Sequence, residues 1–280
     1  MNFVEPDPPQ QRRWTDGADR VEIALPRGHV TEGVVRAGAT VRRPHQPTSY
    51  PIAHYLDHLE RVGFDGSPRF LGVDDAGRDV LTFIDGAVSG ASPEPWVADE
   101  ALLVSVGELL TDLHRASEGF DQAQTLFPPS AGQGPGTLVS HLDVTPQNVV
   151  VRHGRAVALI DFDLTRRATR VDDVYNTATH WVPLADPLDV YPDWAGVDQP
   201  RRLRLLADAC QLPRRQRAGL VQLGIRHADA SWTRMKERAE RDGGGWARMW
   251  AEGVGDRIRR RQRWLADNEQ ALTAALLADG

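Results

Sequence analysis

The sequence predicts an α+β protein in two lobes, a small N-terminal antiparallel sheet with one helix followed by a larger, mostly helical lobe. Three observations carry this reading. Short β-branched runs punctuated by Gly and Pro fill residues 19–85. Helical spacing of apolar residues dominates after residue 97. Between them in character, Leu138 to Leu164 holds two polar clusters, His141-Leu142-Asp143 and Asp161-Phe162-Asp163, on either side of one hairpin. The 280 residues are enough for two lobes with a real core. The expected divisions are a disordered segment 1–18, an N-terminal lobe 19–85 and a C-terminal lobe 86–280.

In chain order, residues 1–14 carry three prolines and little periodicity, and are expected to be disordered. Val21–Leu25, Gly33–Arg36 and Thr40–Arg43 read as strands. The turn Pro26-Arg27-Gly28-His29 lies over a nucleotide's phosphates or is a plain hairpin; it is not a G-x-G-x-x-G loop. Ser49–Val62 is a helix with the stripe Ile52, Leu56, Leu59 and Val62, stopped by Gly63. Phe70–Val73 and Val80–Ile84 are two more strands, and Asp85-Gly86 breaks the pattern. Residues 97–116 form an amphipathic helix in which His114 reads as a packed structural residue. A Gly- and Pro-rich loop, 119–137, leads to the hairpin of Val149–Val151 and Ala156–Ile160, joined through His153-Gly154. Asn176–Trp181 has helical spacing and Pro183–Pro200 is irregular. Three helices are expected beyond, at about 199–210, 213–241 and 246–278, with Gly243-Gly244-Gly245 between the last two.

Composition excludes several classes. Hydrophobic content of 41% and charged content of 26% are those of a soluble globular protein. The start MNFVEPDPPQQ lacks a basic head and an apolar core, so no signal peptide is expected. No run approaches the 18 apolar residues of a membrane span. The single cysteine, Cys210, excludes an intramolecular disulfide and a Cys-based zinc site, and its apolar-periodic surroundings mark it as core. A cytoplasmic protein is expected. The net charge of −6 selects no partner. The Arg-rich tail lacks interleaved aromatics in a recognisable module, so no nucleic-acid partner is expected.

The chemistry sits at 138–164. A hairpin brings the two polar clusters to one end of a small sheet. Asn148 and Asp161 are hard oxygen ligands suited to Mg²⁺, an ion held by one or two carboxylates plus substrate phosphates. Asp143 remains to orient or deprotonate a hydroxyl. Either cluster alone is an ordinary turn; the two together, with their aspartates 18 residues apart, are specific.

His141-x-Asp143-x-x-Pro146-x-Asn148, two strands, then Ile160-Asp161-Phe162-Asp163 resembles the aminoglycoside phosphotransferase family of kinase-like small-molecule enzymes. The resemblance implies a protein-kinase-like fold, ATP or GTP as donor, and transfer of the γ-phosphate to a hydroxyl of an antibiotic or metabolite. It implies Mg²⁺ on Asn148 and Asp161, Asp143 as catalytic base, His141 as the residue that structures the catalytic loop, and Asp163 as a supporting carboxylate. It makes Phe83 to Gly86 the hinge, with the backbone of Phe83 and Ile84 meeting a purine edge. Leu142 stands where relatives often have Gly. The strand lysine of the family is missing, since Lys236 is the only lysine. Arg42 falls at its place and is the candidate for the phosphates; Arg43 points the other way, towards solvent. His54, Asp57 and Glu60 are candidates for the helix acid that pairs with the strand lysine, each reading more readily as a surface residue.

The acceptor stays open. Residues 172–198 hold six Asp and no Lys or Arg, whereas 199–264 holds 17 Lys plus Arg against 7 Asp plus Glu. The basic run reads best as a solvated helix face; as a pocket wall it argues against a polycationic acceptor, while the acidic stretch would favour one. Two alternatives remain, a kinase-like enzyme acting on a peptide Ser or Thr in a biosynthetic pathway, and a non-catalytic kinase-like binding module. The absent lysine and Gly-rich loop favour the module. The intact Asp143, Asn148 and Asp161 oppose it.

Overall fold

Strands of three to five residues are too short to stand alone and gain stability only by pairing. In the computed structural model, which describes residues 12–15, 21–25, 33–90, 92–121, 123–127, 136–194 and 196–278, five of them do so. β1 (Glu22–Ala24), β2 (Val35–Ala37), β3 (Thr40–Pro44), β4 (Phe70–Val73) and β5 (Arg78–Thr82) form one antiparallel sheet in the order β1-β2-β3-β5-β4. Between β3 and β4 runs α1 (Ser49–Arg61), burying Ile52, Ala53, Tyr55, Leu56 and Leu59. The sheet ends at Thr82, so Phe83 and Ile84 leave it, contrary to the expected strand Val80–Ile84. The turn Pro26–His29 lies outside the described residues.

Arg12 to Trp14, expected to be disordered, run beside β4. The Val73 amide donates to the Arg12 carbonyl and the Trp14 amide to the Val73 carbonyl, both at 2.9 Å. Arg12 also reaches Asp57 on α1 at 3.0 Å. Backbone pairing at a sheet edge needs no side-chain pattern, so periodicity did not signal it.

The chain enters the second lobe through Gly86. Ala87 pairs with Val151, its amide donating to the Val151 carbonyl at 2.9 Å and its carbonyl accepting from the Val151 amide at 2.8 Å. Gly86 has φ +151°, and a Cβ there would lie 2.4 Å from Val150 Cγ1 and 2.9 Å from the Val151 carbonyl. Only glycine lets the connection pass this close to the hairpin.

The second lobe is built on α2 (Glu100–Ser117), capped by Asp99, whose carboxylate accepts from the Leu102 amide at 2.8 Å. Its buried stripe of Leu102, Leu103, Val106, Leu110 and Leu113 is the centre of the core. After α3 (Ala123–Leu126) come two small ladders. β6 (Leu138–Ser140) pairs with β9 (Arg166–Ala168), and β7 (Val149–Arg152) pairs with β8 (Arg155–Leu159) through the predicted His153-Gly154 turn. α4 (Arg170–Trp181) opens with a capping box between Thr169 and Asp172. α5 (Gln199–Ala209) packs on α2, and Cys210 just beyond it is buried against Gly107, as core and not as a nucleophile.

The tail has more helices than expected. The segment 213–241 divides into α6 (Arg214–Ala218) and α7 (Leu220–Asp242). The segment 246–278 divides into α8 (Gly244–Ala251), α9 (Val254–Asp267) and α10 (Glu269–Leu277). Gly253 takes φ +84° between α8 and α9, which turns the chain while the apolar spacing carries on. No helix among the described residues is long and apolar enough to cross a membrane.

Candidate active site

The hairpin delivers the site. Beyond β7–β8 the Ile160 amide still donates to the Asn148 carbonyl at 2.9 Å, so Asn148 and Asp161 leave the ladder side by side. Asn148 Nδ2 donates to Asp143 twice, to its carbonyl at 2.9 Å and to Oδ2 at 2.8 Å. Asp143, Asn148 and Asp161 are thereby one cluster, as predicted. His141 is buried, and Nε2 carries the proton given to the Ile160 carbonyl at 3.1 Å while Nδ1 accepts from the Asp143 amide at 3.3 Å. Burial holds this imidazole below its ordinary pKa, in keeping with a neutral ring that links the two polar clusters. Phe162 packs on His141 with ring centroids 4.5 Å apart and on Tyr55 of α1 at 6.1 Å, tying the first lobe's helix to the second cluster.

The electrostatics are those of a crowded acidic site. Burial and the nearby charge of Asp161 push the Asp143 carboxyl up to about 6, against the pull of Asn148. Burial and Asp163 likewise raise Asp161, with Arg43 opposing them. Asp161 sits in the left-handed region at φ +62°, ψ +72°. Its buried Oδ1 has no hydrogen-bond partner, and the nearest cation, Arg43 Nη1, is 3.8 Å away. A buried carboxylate oxygen left without a donor is the kind of group a cation completes. No cluster of three or more His, Cys, Asp or Glu with metal-site geometry exists among the described residues. Asp161 and Asn148 thus suit an ion whose remaining ligands come from phosphates and water.

The matches to known proteins follow this geometry. Residues 118–206 match the model of the phosphotransferase enzyme family, APH. The trifolitoxin immunity protein of Rhizobium leguminosarum bv. trifolii is 30% identical over 268 residues, covering 91% of this chain and 98% of that protein. The chain belongs to the APH phosphotransferase family. Among solved structures, a choline/ethanolamine kinase family protein from Mesorhizobium loti has a TM-score of 0.59 at 16% identity, over 92% of each chain. The ADP-bound aminoglycoside phosphotransferase APH(2″)-Ib has a TM-score of 0.53 at 12% identity, over 93% of this chain and 95% of its own. These neighbours carry the same kinase-like fold, with its small sheet lobe and mostly helical second lobe. The binding-module alternative gives way to a phosphotransferase.

Two predicted residues of this phosphotransferase fall differently. The structure does not bring Arg42 to the cluster: its Nη1 lies 3.3 Å from Asp74, both side chains buried on the other face of β3. Arg43, expected towards solvent, is buried and faces the site, hydrogen-bonded to Asp163 and within reach of Asp161. Strand alternation puts the neighbours on opposite faces; which face meets the second lobe is decided by how the lobes close, and sequence does not show that. No side chain of α1 pairs with Arg43 among the described residues. Asp57 is paired with Arg12, Glu60 is 3.7 Å from Arg69, and His54 packs edge-on against Tyr50. The first acids to meet Arg43 are therefore those of the second cluster itself. Phe83 donates its amide to the Ala39 carbonyl at 2.8 Å, and Arg36 stacks on its ring at 3.6 Å. Phe83 and Ile84 occupy the connection between lobes, away from direct contact with Asp143.

One functional residue was missed. Asp173, fully buried on α4, accepts from the Leu142 amide at 3.0 Å and from His114 Nε2 at 3.0 Å. Leu142 holds φ +59°, a conformation that glycine takes most readily, and the Asp173 bond fixes it there. Trp181 Nε1 donates to the Val144 carbonyl at 2.8 Å, so α4 grips the candidate loop on both sides of Asp143. In sequence, Asp172-Asp173 carried only the signal of an acidic helix start.

Proposed function

We propose that this chain transfers the γ-phosphate of ATP or GTP to a hydroxyl of a small molecule, with Mg²⁺ held by Asp161 and Asn148. The observation that carries the reading is the convergence of Asp143, Asn148 and Asp161, with Asp143 half-buried and raised to about 6. A base works best with a pKa near the operating pH. At pH 7 to 8 Asp143 is ionised, and Asn148 fixes one of its oxygens so that the other is available to the acceptor hydroxyl. Bound Mg²⁺ would supply charge neutralisation on the nucleotide's phosphate oxygens. Phosphoryl transfer runs through a loose transition state, so positioning and charge matter more than covalent chemistry.

Arg43 takes the part expected of a strand lysine. Its planar guanidinium suits a bidentate grip on phosphate, and Asp163 orients it in the absence of a nucleotide. At the hinge, the Phe83 amide is occupied by Ala39, which leaves the Phe83 carbonyl and the Ile84 amide for a purine edge. A relative named as an immunity protein favours an antibiotic over a metabolite as acceptor, since modifying a toxic compound confers immunity.

The test is transfer of label from γ-labelled ATP and GTP to a panel of hydroxylated antibiotics and metabolites. Asp143→Asn should lower turnover by about 10²- to 10⁴-fold and leave nucleotide binding in place. Turnover unchanged in Asp143→Asn would remove the base assignment.

A further inference from the structure

The acidic stretch 172–198 begins against the loop that carries Asp143, yet five of its six carboxylates are engaged within the fold. Asp173 holds His114 and the Leu142 amide. Asp172 is bonded to Thr169 and lies 3.0 Å from His227 on α7. Asp189 pairs with Arg260 at 2.5 Å, and Asp186 and Asp198 cap helix starts.

The guanidiniums next to them are not engaged in the same way. Arg166 opens β9 opposite Ser140, the residue before His141, which places it beside the catalytic loop. Arg234 and Arg238 lie one turn apart on one face of α7, and Arg238 stacks over Trp246 at 4.5 Å. Among the described residues, none of the three side chains makes a hydrogen bond or an ion pair. Three of the four acids of α7 are engaged elsewhere, Asp229 with Arg259, Glu240 with Lys236 and Asp242 with Arg241; the fourth, Glu237, lies between Arg234 and Arg238 and forms no ion pair among the described residues.

His227, 3.0 Å from Asp172, lies on the same face of α7 as Arg234 and Arg238, seven and eleven residues before them, so that face looks onto the start of α4 just beyond β9 and Arg166. Burial, then the charges of Arg234 and Arg238, hold Arg166 below its ordinary value, while Asp173 and Asp172 act the other way. Like charges one turn apart weaken a helix; Arg234 is exposed, while Arg166 and Arg238 are half-buried, and a half-buried guanidinium without an acceptor loses solvation. Three guanidiniums gathered beside a phosphoryl-transfer site, none of them in an ion pair, have the character of an anion site.

We propose that Arg166, Arg234 and Arg238 bind the acceptor, and that the acceptor hydroxyl belongs to a molecule bearing a carboxylate or phosphate. The inference rests on the phosphoryl-transfer reading of Asp143. It sets this chain apart from the choline/ethanolamine kinase family protein, whose named compounds are cations.

The experiment is thermal unfolding without Mg²⁺ at constant ionic strength, titrating inorganic phosphate in one arm, malate in a second and choline in a third. Wild type should be stabilised saturably by phosphate, malate or both, which tells phosphate from carboxylate, and not by choline. R234Q/R238Q should weaken the apparent affinity at least tenfold, and Arg166→Gln likewise should this double variant fold poorly. Arg43→Met should leave the anion effect in place, because that residue belongs to the nucleotide side. Mg²⁺–ATP stabilisation, measured in the same proteins, should survive R234Q/R238Q; its absence in wild type would count against the nucleotide reading alone. Equal anion stabilisation in wild type, R234Q/R238Q and Arg166→Gln would overturn the proposal. So would no stabilisation by either anion, or stabilisation by choline.

Discussion

Replacing Asp143 by Asn should make the protein more stable while it stops the chemistry. The folded protein raises this carboxyl from an ordinary 3.8 to about 6, chiefly by burial and by Asp161. A raised carboxyl pKa means that folding disfavours the ionised form, so the penalty grows as pH rises from 3.8 through 6 and is complete above it. At about 1.36 kcal/mol per pKa unit the penalty is about 3 kcal/mol at pH 8. At pH 5, where the folded carboxyl is mostly protonated and the unfolded one mostly ionised, it is about 1.5 kcal/mol. Asn keeps an oxygen to accept from Asn148 and removes the charge. With roughly 2–4 °C of Tm per kcal/mol for a chain of this size, Asn should raise Tm by about 6–12 °C at pH 8 and about half that at pH 5. Paired calorimetric scans of the two proteins at both pH values are the assay. A variant no more stable than wild type at pH 8, or a gain independent of pH, would refute the electrostatic account of this site.

Arg43→Met should weaken nucleotide binding by at least tenfold in a titration, because its guanidinium faces Asp161 and Asp163. Arg42→Met should leave nucleotide affinity unchanged and lower stability by roughly 1–3 kcal/mol, since it strips a buried partner from Asp74 while Arg78 remains at 2.9 Å. Gly86→Ala should lower stability by about 2–4 kcal/mol, through the contact with Val150 and the positive φ together. Gly154→Ala, where a Cβ meets nothing within 4 Å, should cost only about 1 kcal/mol for its φ of +73°; equal losses at the two glycines would show that the lobe connection is not tightly packed there.

What the sequence showed and what it concealed divide along one line. The hairpin of the candidate site is local: two β-branched runs, a His-Gly turn and polar residues at the strand ends place Asp143, Asn148 and Asp161 within 19 residues. Helices α1 and α2 follow from apolar stripes that one face of each must bury. Arg43 and Asp173 owe their roles to partners far along the chain, Asp163 at 120 residues and Leu142 at 31. No spacing rule reaches so far. The tail was divided too coarsely because apolar periodicity passes through Gly253 and Asn268 without a break, while the backbone turns at both. The charge asymmetry between 172–198 and 199–264 was visible, but its meaning depends on which charges find partners. Among the described residues the acids mostly do, whereas the guanidiniums of Arg166, Arg234 and Arg238 make no ion pair, Arg238 only stacking over Trp246.

The most direct measurement is thermal unfolding of wild type and Asp161→Ala with ATP or GTP, each with and without Mg²⁺. A nucleotide at ~100 times its dissociation constant adds roughly 2.7 kcal/mol, a shift of several degrees. Wild type should show a Mg²⁺-dependent rise in Tm that Asp161→Ala abolishes. An equal rise in both proteins, or none in wild type with either nucleotide, would contradict the assignment of Asp161 and Asn148 as the metal–nucleotide site.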